Sequence, residues 1–76
     1  MIKEKDLDQT AFCLKKQDGL VFDGDFSYAF DVRTQTLYMH DTIDGELTFM
    51  SRITDIGELE EIYHTLMGRS SENFWQ

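Results

Sequence analysis

Proline is absent from this chain of 76 residues, cysteine occurs once, and seven Lys and Arg stand against fifteen Asp and Glu. Each scarcity excludes something. A single cysteine rules out an internal disulfide framework and fits a reducing compartment. Flanked by Phe12 and Leu14, Cys13 reads as a buried thiol that behaves as a small apolar group. No segment approaches the ~20 consecutive apolar residues that span a bilayer. Met1 to Thr10 (MIKEKDLDQT) holds no apolar run of the kind a signal peptide needs. The expected location is the cytoplasm. A shortage of basic residues argues against direct nucleic-acid binding, which needs a cationic footprint on the phosphates. Anionic membrane surfaces are disfavoured for the same reason.

Motifs for chemistry are missing as well. His40 and His64 fall on different elements, and with one cysteine the chain lacks the converging ligands of a zinc site. Asp41, Asp44 and Glu46 surround a glycine without the ligand spacing of a calcium loop. No Gly-rich phosphate loop precedes a Lys and a Ser or Thr, and Ser70 and Ser71 have no base placed to activate them. The expectation is a protein without metal or cofactor that is not an enzyme.

Size adds a constraint. A chain this short buries only about 60 to 65% of the surface its unfolded form exposes. With neither disulfide nor metal to staple the fold, self-association is the remaining common remedy.

What the chain does contain is alternation followed by a helical stripe. Residues 1–76 form one domain, with a polar N-terminal segment over 1–9 and a C-terminal tail over 69–76. Thr10 to Lys16 suits a short strand, a turn follows at Gln17-Asp18-Gly19, and Leu20 to Phe22 returns. Phe26 to Val32 places Phe26, Tyr28, Phe30 and Val32 on one face, the period of a half-buried strand. Leu37 to Ile43 and Glu46 to Ile53 complete a meander around Asp44-Gly45, the strongest hairpin signal present and a match for a type I′ turn.

A two-residue loop there sets Thr42 opposite Leu47, His40 opposite Phe49 and Met39 opposite Met50. Thr34-Gln35 as the preceding loop pairs Phe30 with Met39. One face then gathers Tyr28, Phe30, Val32, Leu37, Met39, Ile43 and Met50. The other gathers Ala29, Asp31, Tyr38, His40, Leu47, Phe49 and Ile53, and a slip of one residue would exchange the two sets.

The helix begins at Asp55, an N-cap with Glu58 three residues on. Ile56, Leu59, Ile62, Tyr63, Leu66 and Met67 make one apolar stripe, Gly68 suits a C-cap, and Glu58, Glu60, Glu61, His64 and Thr65 lie away from the stripe. The fold class is therefore α+β, an antiparallel meander of three to five strands packed by one C-terminal amphipathic helix. A single helix covers one sheet face. The second face remains apolar, which marks Tyr38, His40, Leu47 and Phe49 as an expected protein interface, an exposed strand edge being the alternative, with the tail aromatics Phe74 and Trp75 either folding back or joining it.

Charge gives a second candidate surface. Residues 18 to 61 hold eleven acids against Arg33 and Arg52, a local net of −9. Asp44 and Glu46 at the hairpin tip, with Glu58, Glu60 and Glu61 on the helix, are candidate contacts for a basic partner. The simpler reading is a solvated acidic face that keeps a small protein soluble.

In overall character the chain resembles the small acidic accessory proteins encoded by bacteriophages. The resemblance spans the whole chain: the lack of proline, the acidic segment from Asp18 to Glu61, and the Asp44-Gly45 hairpin leading into the helix from Asp55 to Met67. It includes no sequence motif and assigns no residue a role. Members of that group inhibit restriction, CRISPR and phage-exclusion (BREX) systems by binding a host enzyme stoichiometrically, some as homodimers. The resemblance implies a homodimeric, non-catalytic inhibitor of a host defence protein in the host cytoplasm. Alternatives are a DNA mimic that occupies a nucleic-acid-binding enzyme and a small phage structural or assembly protein.

Overall fold

The computed structural model describes residues 1–17 and 19–75, with side chains described for 1–15 and 19–67. A single helical turn, α1 (Glu4–Leu7), precedes the strands β1 (Leu14–Gln17), β2 (Leu20–Phe22), β3 (Tyr28–Asp31), β4 (Thr36–His40) and β5 (Leu47–Arg52). The chain closes with helix α2 (Ile56–Trp75). Every strand pairs antiparallel with the next, in the order β1-β2-β3-β4-β5. The α+β meander with a C-terminal helix is the architecture the alternation and the helical stripe predict. The helix itself runs on through Gly68 and residues 69–75, where a C-cap and a tail were expected. The expectation that Phe74 and Trp75 fold back or dock falls on side chains outside the described residues.

Both hairpin registers differ from the expected ones, by two residues next to each turn. Tyr28 faces Met39 and Phe30 faces Leu37, so residues 32–35 form the connecting loop. On the other side of β4, His40 faces Leu47 and Tyr38 faces Phe49. The acidic residues cause the longer turn. Asp41 Oδ1 accepts the Ile43 N–H and Asp44 Oδ1 accepts the Glu46 N–H, each at 2.8 Å. The Gly45 N–H donates to the Asp41 carbonyl at 2.8 Å, with Gly45 at φ +77°. Among the described non-glycine residues only Phe26 and Gln35 have positive φ. Asp44 therefore lacks the left-handed conformation a type I′ turn requires at both central positions. Aspartate side chains that bond the backbone two residues on stabilise an alternative turn. A shift of two preserves side-chain parity, so most of the expected faces survive the wrong register.

Ile53 is the exception. The pairing slips between Tyr38–Phe49 and Leu37–Ser51, a β-bulge at Met50 that inverts parity beyond it. Ile53 thereby moves from the expected second face into the main core, where it is 1% exposed.

That core lies between the sheet and α2. Phe30, Leu37, Val21, Ile53 and Leu59 are buried together with Ile2, Leu7 and Phe12, and Tyr28, Val32, Met50, Ile56, Ile62 and Tyr63 pack around them. Asp55 Oδ2 accepts the Glu58 N–H at 3.0 Å, the N-cap bond expected from sequence. The polar N-terminal segment contributes more than expected. Its buried Ile2 is held as if by a neighbouring strand: the Gln35 side-chain amide accepts from Ile2 N–H and donates to Ile2 C=O, both at 2.8 Å. Gln35 adopts φ +55° to do so.

Two apolar residues assigned to this face do not reach the core. Met39 and Ile43 are exposed, because they lie toward the β4–β5 turn, away from the cluster under α2. The second face is partly closed by the chain itself. Leu20, Phe22 and Ala29 are buried there, with Leu14, Phe26 and Tyr38 around them, and Asp31 is buried beside them. Strand β1 starts only at Leu14, and Phe12 takes the core position, which leaves Cys13 exposed. The buried thiol expected from the flanking apolar residues is not found.

Candidate protein-interaction surface

Strands β4 and β5 carry an apolar surface that is partly open to solvent. The register places Tyr38 opposite Phe49 and His40 opposite Leu47, on one face. Tyr38 belongs to the margin of the small cluster over β2 and β3. The His40 ring sits edge-on to Phe22 with centroids 4.8 Å apart, and its Nδ1 donates to the Phe26 carbonyl. These contacts hold both rings half-buried. One strand further out nothing comparable covers the face among the described residues, and Phe49 is 61% and Leu47 37% exposed. Among the described residues the open part of this face is therefore Leu47 and Phe49 on β5, while Met39 on β4 and Ile43 in the turn, both expected on the other face, are exposed as well.

Sheet edges differ in the same direction. Strand β1, at one edge, carries Lys15 and Lys16 and an irregular pairing between Lys15 and Gln17. Lys15 also forms an ion pair with Glu4 at 3.0 Å. Lysines and irregularities are common means of blocking an edge against further pairing. Strand β5, at the other edge, reads LTFMSR and carries no charge before Arg52. Among the described residues Arg52 makes no ion pair, and it is the only Lys or Arg between Arg33 and Arg69.

The acidic candidates are exposed on two elements, Asp44 and Glu46 at the hairpin and Glu58, Glu60 and Glu61 on α2. Other acids have been absorbed into the fold. Asp23 is 0% exposed. Its Oδ1 accepts from the N–H groups of Ser27 and Tyr28 at 2.8 and 3.1 Å, and its Oδ2 accepts from the Tyr63 hydroxyl at 2.7 Å. Burial, followed by the bond to Asp23 and the charges of Asp23 and Asp25, raises the Tyr63 pKa well above the ordinary tyrosine value. Burial pushes the Asp31 pKa up, but bonds from the Arg33 guanidinium and N–H outweigh it and hold the carboxyl below its usual range. Sequence reasoning singled out neither Asp23 nor Gln35. Nothing local to Asp23 signals its partner, because Tyr63 lies forty positions away in the chain.

A shallow groove of about 540 Å³ joins His64 to Glu60 and Glu61 beside Thr10, Phe12 and Tyr63. A histidine beside carboxylates is the arrangement that would favour hydrolysis. Here the three titratable side chains are exposed, and no hydrogen bond links His64 to either acid among the described residues. The Thr10 hydroxyl is already engaged, donating to the Leu7 carbonyl at 2.8 Å and accepting from the Phe12 N–H at 3.1 Å. The groove therefore lacks the nucleophile–base contact that covalent catalysis needs. Among the described residues no three His, Cys, Asp or Glu converge to hold a metal, and no helix is long and apolar enough to cross a membrane.

No family model, curated protein or solved structure matches the chain.

Proposed function

We propose that this protein is a non-catalytic protein-binding module, a homodimer that acts stoichiometrically on a host protein of bacterial anti-phage defence. The observation that carries the binding reading is the exposure of Phe49 and Leu47 beside the half-buried Tyr38 and His40 on a single sheet face. Leaving an aromatic ring of this size in water forgoes roughly 1.5–3 kcal/mol of burial. A second molecule on β4–β5 would recover it. The defence role rests on the compositional resemblance and on an acidic surface suited to steering toward a basic partner.

Light scattering on the wild type and on Phe49→Asp tests self-association. A dimer that becomes a monomer is the expected outcome, and a monomer in both cases rejects the homodimer. For the inhibitory role, the protein is expressed in cells protected by restriction, CRISPR or BREX systems. Restored plaque formation under at least one system supports it, and undiminished protection under all three rejects it.

A second reading, a DNA mimic, draws on the exposure of Asp44, Glu46, Glu58, Glu60 and Glu61. It predicts salt-sensitive binding to a DNA-binding enzyme that charge reversal at Glu58, Glu60 and Glu61 abolishes.

A further inference from the structure

We propose that β5 is the dimer seam: two copies pair edge to edge through antiparallel β5 strands, with the two-fold axis passing through Thr48. This rests on the homodimer reading above and assigns it a surface and a register.

The register follows from which backbone groups of β5 are already used. In antiparallel pairs the residues alternate between those that exchange hydrogen bonds with a given neighbour and those that do not. The Asp41 N–H donates to the Glu46 carbonyl at 2.9 Å, and the Ile53 N–H donates to the Gln35 carbonyl at 2.9 Å. With His40 opposite Leu47 and Tyr38 opposite Phe49, the backbone groups of Glu46 and Thr48 point toward β4. Those of Leu47 and Phe49 point away, along the open edge. At the bulge Leu37 pairs with Ser51 and Met50 is the extra residue, so the outward direction resumes at Arg52.

An antiparallel partner must match outward residues with outward residues. Over the stretch before the bulge, a two-fold at Thr48 does this. It sets Leu47 against Phe49 of the second copy and Phe49 against its Leu47, each pair exchanging both backbone bonds. The two Thr48 residues meet as a non-bonded pair, with Cα atoms about 4.5 Å apart. A two-fold at Phe49 instead matches outward Leu47 with inward Ser51 and fails at the bulge.

The same register suits the side chains. Leu47 and Phe49 of the two copies cover one another on the face they already share with Tyr38 and His40. Arg52 of each copy comes alongside the other's hairpin tip, which carries Asp41, Asp44 and Glu46. The one basic residue of this region thus meets its densest acids at both ends of the seam. The opposite edge, with its lysines and irregular pairing, is built against such an extension.

Site-directed disulfides test the register. In a Cys13→Ser background, Thr48→Cys is oxidised with glutathione disulfide and analysed by non-reducing electrophoresis. The expected product is a cross-linked dimer, since the separation at the axis lies within disulfide range. Ser51→Cys is expected to stay uncross-linked, because in this register its two copies are on the order of 20 Å apart. Charge reversal supplies an independent measurement on an exposed position. Arg52→Glu should weaken dimerisation about tenfold, and adding Asp44→Arg should restore it.

A dimer by light scattering in which Thr48→Cys does not cross-link, or Ser51→Cys cross-links equally, overturns the β5 seam while leaving the homodimer intact. A wild-type monomer overturns both. Binding of a different protein across β5 with no cross-link likewise rejects a second copy as its occupant.

Discussion

The Tyr63 hydroxyl donates to Asp23 Oδ2 at 2.7 Å, fastening helix α2 to the turn that joins β2 and β3. Asp23 is fully buried, and its carboxylate also accepts from the N–H groups of Ser27 and Tyr28. Tyr63 also packs edge-on against Phe12 and Tyr28, with ring centroids 5.0 and 5.9 Å away. One side chain thus serves the core with its ring and a buried charge with its hydroxyl.

Tyr63→Phe keeps the ring and removes the donor. Leaving a buried carboxylate short of a partner costs about 1–3 kcal/mol, which urea unfolding near neutral pH would register. The pH dependence gives a sharper signature. A tyrosine whose folded pKa is raised contributes stability that is fully present below its unfolded value, about 10, and is lost as pH rises toward the folded value. Wild type should therefore lose stability above about pH 10 more steeply than Tyr63→Phe.

Asp31 has the opposite sign. Its folded pKa is depressed despite burial, through the bonds from Arg33. Its contribution is present above the unfolded value of about 4 and is lost as pH falls through the folded value. Urea unfolding across the acid range should show a shallower decline for Asp31→Asn than for wild type. Equal slopes would mean that the Arg33 bonds seen here add nothing in solution.

Gln35→Ala isolates the amide clamp on Ile2. Alanine shares the strain of a left-handed residue, so the difference reports the lost side-chain bonds to Ile2 and Val32. The expected loss is about 1–3 kcal/mol, accompanied by faster hydrogen exchange at the Ile2 amide.

Ile53 tests the bulge directly, with the exposed Ile43 before it as the comparison. They flank β5, yet Ile43 is 95% and Ile53 1% exposed. Ile53→Ala should destabilise by about 2–5 kcal/mol, whereas Ile43→Ala should stay within about 0.5 kcal/mol. Comparable losses at both positions would contradict the parity inversion at Met50.

Much of the architecture was legible in one dimension. Strand alternation in residues 26–53, the Asp55 cap and the stripe from Ile56 to Met67 depend on local periodicity, so the meander, the helix and the helix-covered face could be read directly. Tyr38, His40, Leu47 and Phe49 were grouped correctly even though both registers were off, because each error was an even number of residues. Local aspartate bonds lengthened the 41–46 turn without changing which face those residues share.

Other features required the folded chain, because they depend on residues far apart in sequence. Cys13 became exposed when Phe12 took the core position, and Ile53 became buried when a bulge inverted its parity. Asp23 and Gln35 acquired their partners from Tyr63 and Ile2, residues that no periodicity connects to them. The sequence alone determined which residues are apolar, charged and alternating, since these are properties of single residues and their spacing. Only the tertiary structure decided which apolar residues remain in water, because burial is set by what the rest of the chain brings over each face.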